Sequence, residues 1–480
     1  MELNEIIEQR KAKLAPLKAK GIAIYESTVP AHAQIAEALG DFQEGRNLGL
    51  CGRVMAKRLH GKVLFMDLRD ATAKIQLYFK ADMLKEGNFD LASDLDIADI
   101  IYVKGELFKT HTGEPTLKVE EFKLLAKALR PLPEKWHGLK DIEVRYRQRY
   151  LDLISNEEVK KIFILRSKII KSIRNFLDSK GFLEVETPMM HNIPGGAAGR
   201  PFMTHHNEYD MDLYLRIAPE LYLKRLLVGG LGKVYEINRS FRNEGVSTRH
   251  NPEFTMLEVY AAFANYQDMM QLAQELIISV AQTVLGRTHV DFQGKAIDLA
   301  PPWQERSFAE LVKEKFDIDP ADEGSAMLKK LQGKGFAKDK TRLTRSQVAK
   351  VIEDILEQDM QVNPTFVTDY FTNLCPLAKT KKDNPLISER FELYIAGLEV
   401  GNAYSELNDP LEQKRRFEEE IKELGKDEGK SLDEDYITAL EHGMPPAGGL
   451  GIGVDRLVML LADQPSIRDV ILFPLLRTEK

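Results

Sequence analysis

The hydrophobic and polar positions of this 480-residue chain follow two different patterns, one before and one after about residue 130. Residues 1–40 place apolar side chains at helical spacing, which predicts an N-terminal helical extension. Short alternating runs separated by Gly, Asp, Asn and Pro then predict five strands, with a helix between the third and the fourth. These strands are Leu48–Lys57, Lys62–Arg69, Ala73–Phe79, Ile100–Phe108 and Thr116–Leu125. The arrangement is typical of an OB-fold β-barrel, which we expect to occupy residues 41–128.

An OB-fold often binds single-stranded nucleic acid with exposed side chains of its middle strands. Phe65 and Gln76 are the candidates in this barrel. The alternative at this point is that Phe65 belongs to the barrel core and Gln76 is an ordinary solvent-facing residue. The two interpretations are equally open from the pattern alone.

The pattern of hydrophobic and polar positions changes after the barrel. Residues 129–142 include the proline-punctuated segment RPLPEKW, which predicts a linker. Long amphipathic helices and alternating strands follow, so we expect a second domain over residues 143–480 and an α+β fold class. Within it, residues from about 265 to 363 show helical segments without a catalytic motif, and we interpret them as a helical insertion.

One hairpin, from Val234 to Tyr260, gathers side chains suited to a nucleoside triphosphate. Its alternation predicts one core face and one polar face. The polar face and the loop carry Arg242, Glu244, Arg249, His250, Phe254, Glu258 and Tyr260. A guanidinium can grip a phosphate with two hydrogen bonds, and an exposed phenyl ring can stack on a purine. The alternative is a charged, solvated hairpin without a ligand.

A second group of polar residues lies in the segment FELYIAGLEVGNAYSE. Glu392 and Glu399 are carboxylates that would repel a triphosphate unless Mg²⁺ lies between them, which makes them candidate metal ligands. Asn402, Tyr404 and Glu406 follow on the same segment. The alternative for the two acids is simple surface exposure.

Two further features complete the set. The strand GLGIGVDR places Gly449, Gly451 and Gly453 on one face, so that a ligand can approach the backbone closely, and Arg456 follows within reach of a phosphate. Glu220 lies at a corner between a strand and a helix. The segment GLGIGVDR is neither a GxGxxG motif nor a Walker A loop, and the chain contains no GxxxxGK[ST], which argues against Rossmann and P-loop interpretations.

The composition of the chain indicates where the protein works and which partners it can have. The net charge of −7 argues against a strongly basic surface for nucleic acid but leaves room for a local basic groove. The two cysteines, Cys51 and Cys375, have no metal-ligand or disulfide spacing. The N-terminus has no apolar signal segment, and no later run is long enough to span a bilayer. We therefore expect a cytoplasmic enzyme without a membrane partner.

Three segments together carry a resemblance. Gly181–Pro188, the stretch from Phe241 to Phe254, and Gly449–Arg456 resemble motifs 1, 2 and 3 of the class II aminoacyl-tRNA synthetases, in order. The chain also resembles the bacterial lysyl-tRNA synthetases over nearly its full length. This resemblance rests on an OB-like domain followed by the segments RIAPELYLKRL, GNAYSELNDP and GLGIGVDRLVMLL. The resemblance implies an antiparallel catalytic sheet flanked by helices and a homodimer with motif 1 at its interface. It also implies lysyl-adenylate formation from ATP and L-lysine with Mg²⁺, followed by transfer of the lysyl group to the 3′ end of tRNA(Lys).

The resemblance also implies roles for individual residues. Arg242 and Arg456 would be the catalytic residues, with Arg242 on the α-phosphate and Glu244 in the nucleotide site. Phe254 and Arg456 would sandwich adenine, while Arg249, His250 and Arg456 would contact the distal phosphates. Glu392 and Glu399 would hold Mg²⁺. In the barrel, Phe65 and Gln76 would contact the anticodon.

The amino-acid pocket follows from chemistry and resemblance together. A lysine ε-ammonium in an enclosed site must be paired, and Glu258, Glu406, Tyr260 and Tyr404 offer that environment. By resemblance, Glu406 is the ε-ammonium partner with Tyr260 beside it, and Glu220 and Asn402 bind the α-amino and carboxylate ends.

Two other classes of function remain open from the sequence. One is a paralogue that attaches a lysine-like group to a protein, against which the barrel argues because such relatives lack it. The other is a non-catalytic nucleic-acid-binding or regulatory protein with an inactive synthetase fold. The intact set of Arg242, Glu392, Glu399 and Arg456 argues against that second class.

Overall fold

The structure is a computed structural model that describes residues 3–84, 87–133, 139, 141–197, 199–359, 361–424 and 432–478. The chain divides into two compact units, Met1–Lys140 and Asp141–Lys480. The predicted linker over residues 129–142 lies partly outside the described residues.

The first unit is a closed five-stranded barrel with short helices before it and within it. The helices are α1 (Leu3–Ala12), α2 (Leu14–Ala19), α3 (Ile35–Gly40) and α4 (Asn88–Asp94). The strands are β1 (Asn47–His60), β2 (Val63–Arg69), β3 (Lys74–Lys80), β4 (Ile100–Lys109) and β5 (Pro115–Ala126). The barrel order is β1-β2-β3-β5-β4, and α4 lies between the third and fourth strands, as the sequence pattern predicted.

Strict alternation builds the barrel core. Along β2, Leu64, Met66 and Leu68 are fully buried, whereas Phe65 between them is only half-buried. The inward side chains belong to one apolar cluster that also includes residues of all the other strands. Phe65 therefore lies on the outer face of the barrel, because successive side chains of a strand point to opposite faces.

The second unit contains twelve helices among its described residues. They are α5 (Ile142–Arg147), α6 (Arg149–Ser155), α7 (Glu157–Ser179), α8 (Glu220–Val228), α9 (Tyr266–Leu285), α10 (Phe308–Phe316), α11 (Gly324–Gly333), α12 (Arg345–Glu357), α13 (Pro410–Leu424), α14 (Glu434–Glu441), α15 (Val454–Leu461) and α16 (Ile467–Val470). Many begin with a side-chain cap, as Asn265 does for α9 by accepting hydrogen bonds from the N–H groups of Gln267 and Asp268.

The strands of this unit form one large sheet and two small ones. They are β6 (Leu183–Glu184), β7 (Met190–His191), β8 (Met203–His206), β9 (Met211–Leu215), β10 (Lys233–Phe241), β11 (Glu253–Ala262), β12 (His289–Phe292), β13 (Lys295–Asp298), β14 (Gln304–Ser307), β15 (Thr365–Thr368), β16 (Arg390–Ile395), β17 (Leu398–Ser405) and β18 (Ala447–Gly453). The large sheet has the order β14-β15-β16-β17-β18-β11-β10-β6. Its pairs are antiparallel except for β6 with β10 and β14 with β15. The expected antiparallel sheet flanked by helices is confirmed.

One face of the large sheet is covered by helices. Residues of α7, α9 and α15, such as Ile173, Leu276 and Val458, pack in one apolar cluster with Leu257 of β11 and Leu450 of β18. Because this face is closed by apolar packing, polar side chains of β11 and β17 are directed to the opposite face. That opposite face carries the candidate site.

The interval 265–363, which we expected to be a helical insertion, has several parts. It includes α9 of the main core, the β12–β13 hairpin and the edge strand β14. Helices α10, α11 and α12 form a separate apolar cluster that contains Phe308, Met327 and Ile352.

The segment after α7 forms the other edge of the large sheet. Gly181 turns the chain with a φ of +78°, a conformation that favours glycine, and the two-residue strand β6 follows. Pro188 follows β6, whose Leu183 is more than half exposed, as are Met190 and Met203 of the small sheet β7-β9-β8. Among the described helices, none is long and apolar enough to cross a membrane.

Candidate active site

The register of the β10–β11 hairpin produces the polar face that the sequence predicted. Glu236 lies opposite Glu258, Asn238 opposite Met256, and Ser240 opposite Phe254. Glu236 has a structural partner, because Arg216 donates to it over 2.7 Å where both side chains are buried. The groups left for a ligand are therefore Glu258 and the residues around Phe254.

A glycine floor, formed by Gly449, Gly451 and Gly453, lies beside this face. Gly449 pairs with Tyr260 of β11 on one side and with Tyr404 of β17 on the other. A methyl group at Gly449 would lie 1.9 Å from Glu406 Oε1 and 2.6 Å from a ring carbon of Tyr260. Only glycine at this position leaves room for the carboxylate and the ring, and the floor thereby shapes a pocket.

Three carboxylates converge on this pocket, and all three are buried: Glu220, Glu258 and Glu406. The Tyr404 hydroxyl donates to Glu220 Oε1 over 2.6 Å, and the Tyr260 hydroxyl donates to Glu258 Oε2 over 3.1 Å. Tyr260 thus hydrogen-bonds Glu258, while its ring lies beside Glu406 across Gly449. The five residues form an acidic, tyrosine-lined pocket.

Burial is the largest cause of the pKa shifts of four of these groups. It raises the pKa of Glu258 to about 8, and the negative charge of Glu220 adds to the effect. Burial also raises the pKa of Glu406, against the opposing influence of a buried ammonium from Lys224. The pKa values of Tyr260 and Tyr404 are raised well above the ordinary range by burial and by the nearby carboxylates. Both tyrosines therefore stay protonated as hydrogen-bond donors.

Lys224 is a member of the pocket that the sequence reasoning missed. Its Nζ donates to Glu220 Oε1 over 2.6 Å and forms a second ion pair with Glu406. Its side chain is fully buried. The spacing of four residues between Glu220 and Lys224 on one helix is the signal that could have found the first of these contacts.

Arg242 lies at the other end of the hairpin face. Its backbone N–H donates to Pro252 O over 2.9 Å, which fixes the start of the loop. The guanidinium carbon lies 5.2 Å from the centre of the Phe254 ring, within cation–π range. Among the described residues, no group accepts a hydrogen bond from its buried Nε atom. This donor is available to an anionic ligand.

Arg456 joins the same region from the start of α15. Its Nη1 donates to Glu399 O over 2.6 Å and to Glu399 Oε2 over 3.1 Å. Its Nη2 lies 3.3 Å from His250 Nε2, and His250 Nδ1 lies 2.9 Å from Ser247 Oγ. Burial and the charge of Arg456 lower the pKa of His250, which favours its neutral form.

The remaining loop residues are more open. Arg249 is exposed and donates to Glu357 Oε1 of α12 over 3.1 Å. Glu244 is exposed, and its backbone N–H donates to Arg242 O over 2.9 Å. The structure thus brings Arg242, His250 and Arg456 together and leaves Arg249 in a different ion pair.

Glu392 and Glu399 lie on the neighbouring strands β16 and β17. Glu392 is buried, accepts hydrogen bonds from Tyr370 over 2.8 Å and from Tyr394 over 2.5 Å, and pairs with Arg390. Burial raises its pKa to about 7, with Arg390 acting in the opposite direction. For Glu399, burial acts to raise the pKa, but Arg456 holds it below the ordinary value.

These two carboxylates do not form a complete metal cage. Within the described parts of the chain, no group of three or more His, Cys, Asp or Glu side chains is placed to hold a metal ion. Two carboxylates are nevertheless the usual protein contribution to a Mg²⁺ ion that takes its other ligands from water and substrate phosphates. The pair therefore fits a magnesium ion carried with a nucleotide.

Arg390 is a second residue that the sequence reasoning missed. Its Nε donates to Asn402 Oδ1 over 3.1 Å, and its guanidinium carbon lies 4.4 Å from the centre of the Tyr370 ring. Together with the ion pair to Glu392, these contacts join a candidate lysine-binding residue to a candidate metal ligand. Its position opposite Tyr404 in the strand pairing was the missing information.

The outer face of the barrel carries an aromatic row, formed by Phe65, Tyr78 and Phe108. The ring centres of Phe65 and Tyr78 are 5.3 Å apart, and those of Tyr78 and Phe108 are 5.8 Å apart. Gln76 Oε1 accepts a hydrogen bond from Thr116 Oγ1 over 3.1 Å beside this row. The core alternative for Phe65 is excluded, and Tyr78 and Phe108 are additional aromatic residues that the sequence reasoning did not name.

The fold and the motif residues define a class of protein. Residues 141–477 match the family described as tRNA synthetases class II (D, K and N), and residues 49–125 match the family described as OB-fold nucleic acid binding domain. The first match covers more than half of the chain, and the chain therefore belongs to the class II tRNA synthetases.

The comparison with individual relatives is more specific than the comparison with the family. The chain is 54% identical over 485 residues to the lysine–tRNA ligase of Pelotomaculum thermopropionicum, covering 99% of this chain and 96% of the relative. It is 54% identical over 490 residues to the lysine–tRNA ligase of Carboxydothermus hydrogenoformans, covering 99% of each. It is 48% identical over 493 residues to the lysine–tRNA ligase of Halalkalibacterium halodurans, covering 99% of this chain and 97% of the relative. The resemblance inferred from the motifs is confirmed.

Proposed function

We propose that this protein activates L-lysine with ATP to form lysyl-adenylate and transfers the lysyl group to the 3′ end of tRNA(Lys). The observation that carries the proposal is the cluster of three buried carboxylates, Glu220, Glu258 and Glu406, in which Glu258 lies within the electrostatic influence of Arg242. A buried acidic pocket suits a substrate with two ammonium groups, because an unpaired charge is excluded by desolvation. An aspartate-specific enzyme would need a cationic pocket instead. The relatives named lysine–tRNA ligase support the same substrate.

In the lysine pocket, we assign the ε-ammonium to Glu406, with the Tyr260 ring beside it. Glu220 and Asn402 bind the α-amino and carboxylate ends of the substrate. Glu258 and Tyr404 complete the lining, and the Tyr404 hydrogen bond to Glu220 orients that carboxylate. The short distance between Tyr404 and Glu220 supports a preorganised α-amino site.

In the nucleotide site, Arg242 and Arg456 are the proposed catalytic residues. The unpartnered Nε of Arg242 supports its assignment to the α-phosphate. Phe254 and Arg456 hold adenine, His250 and Arg456 contact the distal phosphates, and Glu244 lines the nucleotide side. Arg249 reaches the distal phosphates only after its ion pair with Glu357 opens.

The chemistry of the first step needs no general base. The lysine carboxylate attacks the α-phosphorus of ATP, the bond from that phosphorus to pyrophosphate breaks, and a mixed anhydride forms. The protein contributes positioning and charge neutralisation through Arg242 and Arg456. Glu392 and Glu399 would hold Mg²⁺, which supplies further neutralisation of phosphate charge when it is bound. The terminal hydroxyl of the tRNA then attacks the carbonyl carbon of the anhydride and releases AMP.

The barrel supplies the proposed anticodon contacts. The half-buried Phe65 ring and its neighbours Tyr78 and Phe108 support base stacking on the outer face. Gln76, beside this row, offers an amide for a base edge. We assign Phe65 and Gln76 to the anticodon of tRNA(Lys).

We also propose a homodimer in the cytoplasm. The strand β6 is the last strand of the large sheet and its Leu183 is exposed, which supports a partner surface at this edge, because an edge strand leaves backbone groups available for pairing. This strand lies within Gly181–Pro188, the segment that resembles motif 1. Equilibrium sedimentation of the wild type tests the proposal, and a monomer at assay concentration would contradict it.

Pyrophosphate exchange into ATP tests the activation step. Purified protein with ATP and Mg²⁺ is assayed with lysine, aspartate, asparagine and arginine separately. We expect exchange with lysine far above the other three, and equal or better exchange with aspartate would overturn the assignment. Charging of tRNA(Lys) is then measured, because a protein-modifying paralogue would support exchange without charging tRNA.

A further inference from the structure

The proposed mechanism leaves one buried cation of the lysine pocket unused. Lys224 lies one helical turn after Glu220 on α8, and its side chain is fully buried. Its Nζ lies 2.6 Å from Glu220 Oε1, and it forms an ion pair with Glu406 as well. The two carboxylates that it joins are those assigned to opposite ends of the substrate. Lys224 is therefore placed between the two ammonium-binding groups of the pocket.

The formal charges of the pocket explain why such a cation is useful. Glu220 and Glu406 are two buried carboxylates that share one ammonium group, that of Lys224. A cation between two buried acids reduces the repulsion between their negative charges. Without Lys224, that repulsion favours protonation of one of the two acids, and a protonated acid is a weaker partner for a substrate ammonium.

We propose that Lys224 is a specificity-determining and positioning residue, an internal ammonium that pairs with Glu220 and Glu406 and orients both carboxylates for a substrate with two ammonium groups. The inference rests on the proposed function, because that function assigns Glu220 and Glu406 to the substrate. Lys224 contacts neither ATP nor the reacting atoms in this assignment. It acts through the two carboxylates.

The surroundings of Lys224 keep it charged. Glu220 faces Lys224 from α8. Tyr404, near the end of β17, has its ring centre 5.4 Å from Lys224 Nζ, and Glu406 follows directly after that strand. Tyr436 of α14 also acts on it. Burial alone lowers the pKa of a lysine, but the two carboxylates together raise the pKa of Lys224 above its ordinary value. Glu258 of β11 also acts to raise the pKa of Glu406, and Glu406 in turn acts to raise the pKa of Tyr260.

The first test removes the charge and keeps the shape. Lys224→Met is compared with the wild type in lysine-dependent pyrophosphate exchange. We expect the KM for lysine to rise by about tenfold to a hundredfold, because a buried carboxylate loses its cation. The KM for ATP should stay within about twofold, since Lys224 acts only on the lysine pocket.

Arg225→Met is the matched control. Arg225 follows Lys224 on the same helix but pairs with Asp433 and Asp435, at 2.9 Å each, away from the pocket carboxylates. It removes one cation from α8 as well. We expect an unchanged KM for lysine in Arg225→Met.

A rescue experiment separates charge from packing. In Lys224→Ala, ethylammonium chloride should lower the KM for lysine by about fivefold or more by filling the vacated ammonium position, whereas propanol should not. In the wild type, ethylammonium should raise the KM for lysine by competing at Glu406. Opposite signs in the two proteins are the expected result.

Each outcome of these experiments either supports or overturns the inference. An unchanged KM for lysine in folded Lys224→Met would overturn the inference, as would an equal response of Lys224→Ala to ethylammonium and propanol. If Lys224→Met does not fold, the melting temperature of Lys224→Ala in ethylammonium against propanol decides, and an equal rise in both overturns the inference. If wild-type protein shows no lysine-dependent exchange, the proposed function itself has failed.

Discussion

The two ends of the proposed active site differ in burial and in sign of charge. At the proposed lysine end, Glu220, Glu258 and Glu406 are 4%, 8% and 0% exposed. At the proposed nucleotide end, Glu244, Arg249 and His250 lie in an exposed loop, and Arg249 forms an ion pair with Glu357. One end is a closed anionic pocket, and the other is an open and mainly cationic loop.

The difference follows from what each end must do. Selection of one amino acid is strongest where its charges are desolvated and every partner is fixed, because an unmatched charge then costs several kcal/mol. A polyphosphate must enter and pyrophosphate must leave, so long side chains exposed to water serve that end better. The lysine end should therefore control the KM for lysine, and the nucleotide end should control ATP use and the chemical step.

The largest effect is expected at the lysine end. Glu406→Gln should raise the KM for lysine strongly, because loss of a buried charge partner costs about 3–5 kcal/mol. The KM for ATP should change little. Pyrophosphate exchange at varied lysine and ATP measures both, and an unchanged KM for lysine would remove Glu406 from the pocket.

A comparison of two arginines sharpens the contrast at the nucleotide end. Arg242→Ala should depress kcat for adenylate formation by about 10²–10³-fold, because charge at the α-phosphorus changes most in the transition state. Arg249→Ala should cost much less, since Arg249 is exposed and engaged with Glu357. Single-turnover adenylate formation measures the two variants, and equal losses would break the distinction between buried and exposed cations.

The metal assignment lies between the two ends. Glu392→Gln and Glu399→Gln should each shift the dependence of exchange on Mg²⁺ to higher concentration, because each removes one negative ligand. The measurement is a magnesium titration at fixed ATP. If neither titration moves, the two carboxylates do not hold the metal.

Substitutions in the barrel should affect neither the lysine end nor the nucleotide end of the proposed active site. Phe65→Ala should weaken tRNA binding by about 1–3 kcal/mol through lost base stacking, and Gln76→Ala should weaken it through a lost base contact. Exchange without tRNA should remain near the wild-type rate in both. Filter binding at several salt concentrations measures the first effect, and a loss of exchange in a folded Phe65 variant would contradict the separation.

The smallest effect concerns pH and stability. The pKa of Glu258 is about 8 in the folded chain and 4.5 ordinarily, so folding favours its protonated form. Its contribution to stability is present below pH 4.5 and is lost as the pH rises through 8. Glu258→Gln lacks this loss, and its melting temperature relative to the wild type should rise by about 2–4 °C from pH 5 to pH 8. A difference that does not change with pH would contradict the buried carboxylate.

Local alternation accounts for what the sequence predicted well. The two faces of the β10–β11 hairpin, the five barrel strands and the glycine face of β18 follow from a side-chain period of two, which depends only on neighbours in the chain. The interval 265–363 was harder, because α9 and α10 have similar helical patterns but pack in different apolar clusters. Helical periodicity indicates that a face is buried and does not indicate against what.

The sequence by itself determined the elements, the motif residues, the class of enzyme and the acidic character of the lysine pocket. Only the tertiary structure decided which charges meet. Lys224 reaches Glu406 across 182 positions of the chain, Arg390 joins Asn402 to Glu392, and Arg249 turns to Glu357. The physical reason is that an ion pair depends on the distance and burial of two side chains, and for residues far apart in sequence both are set by how strands and helices pack.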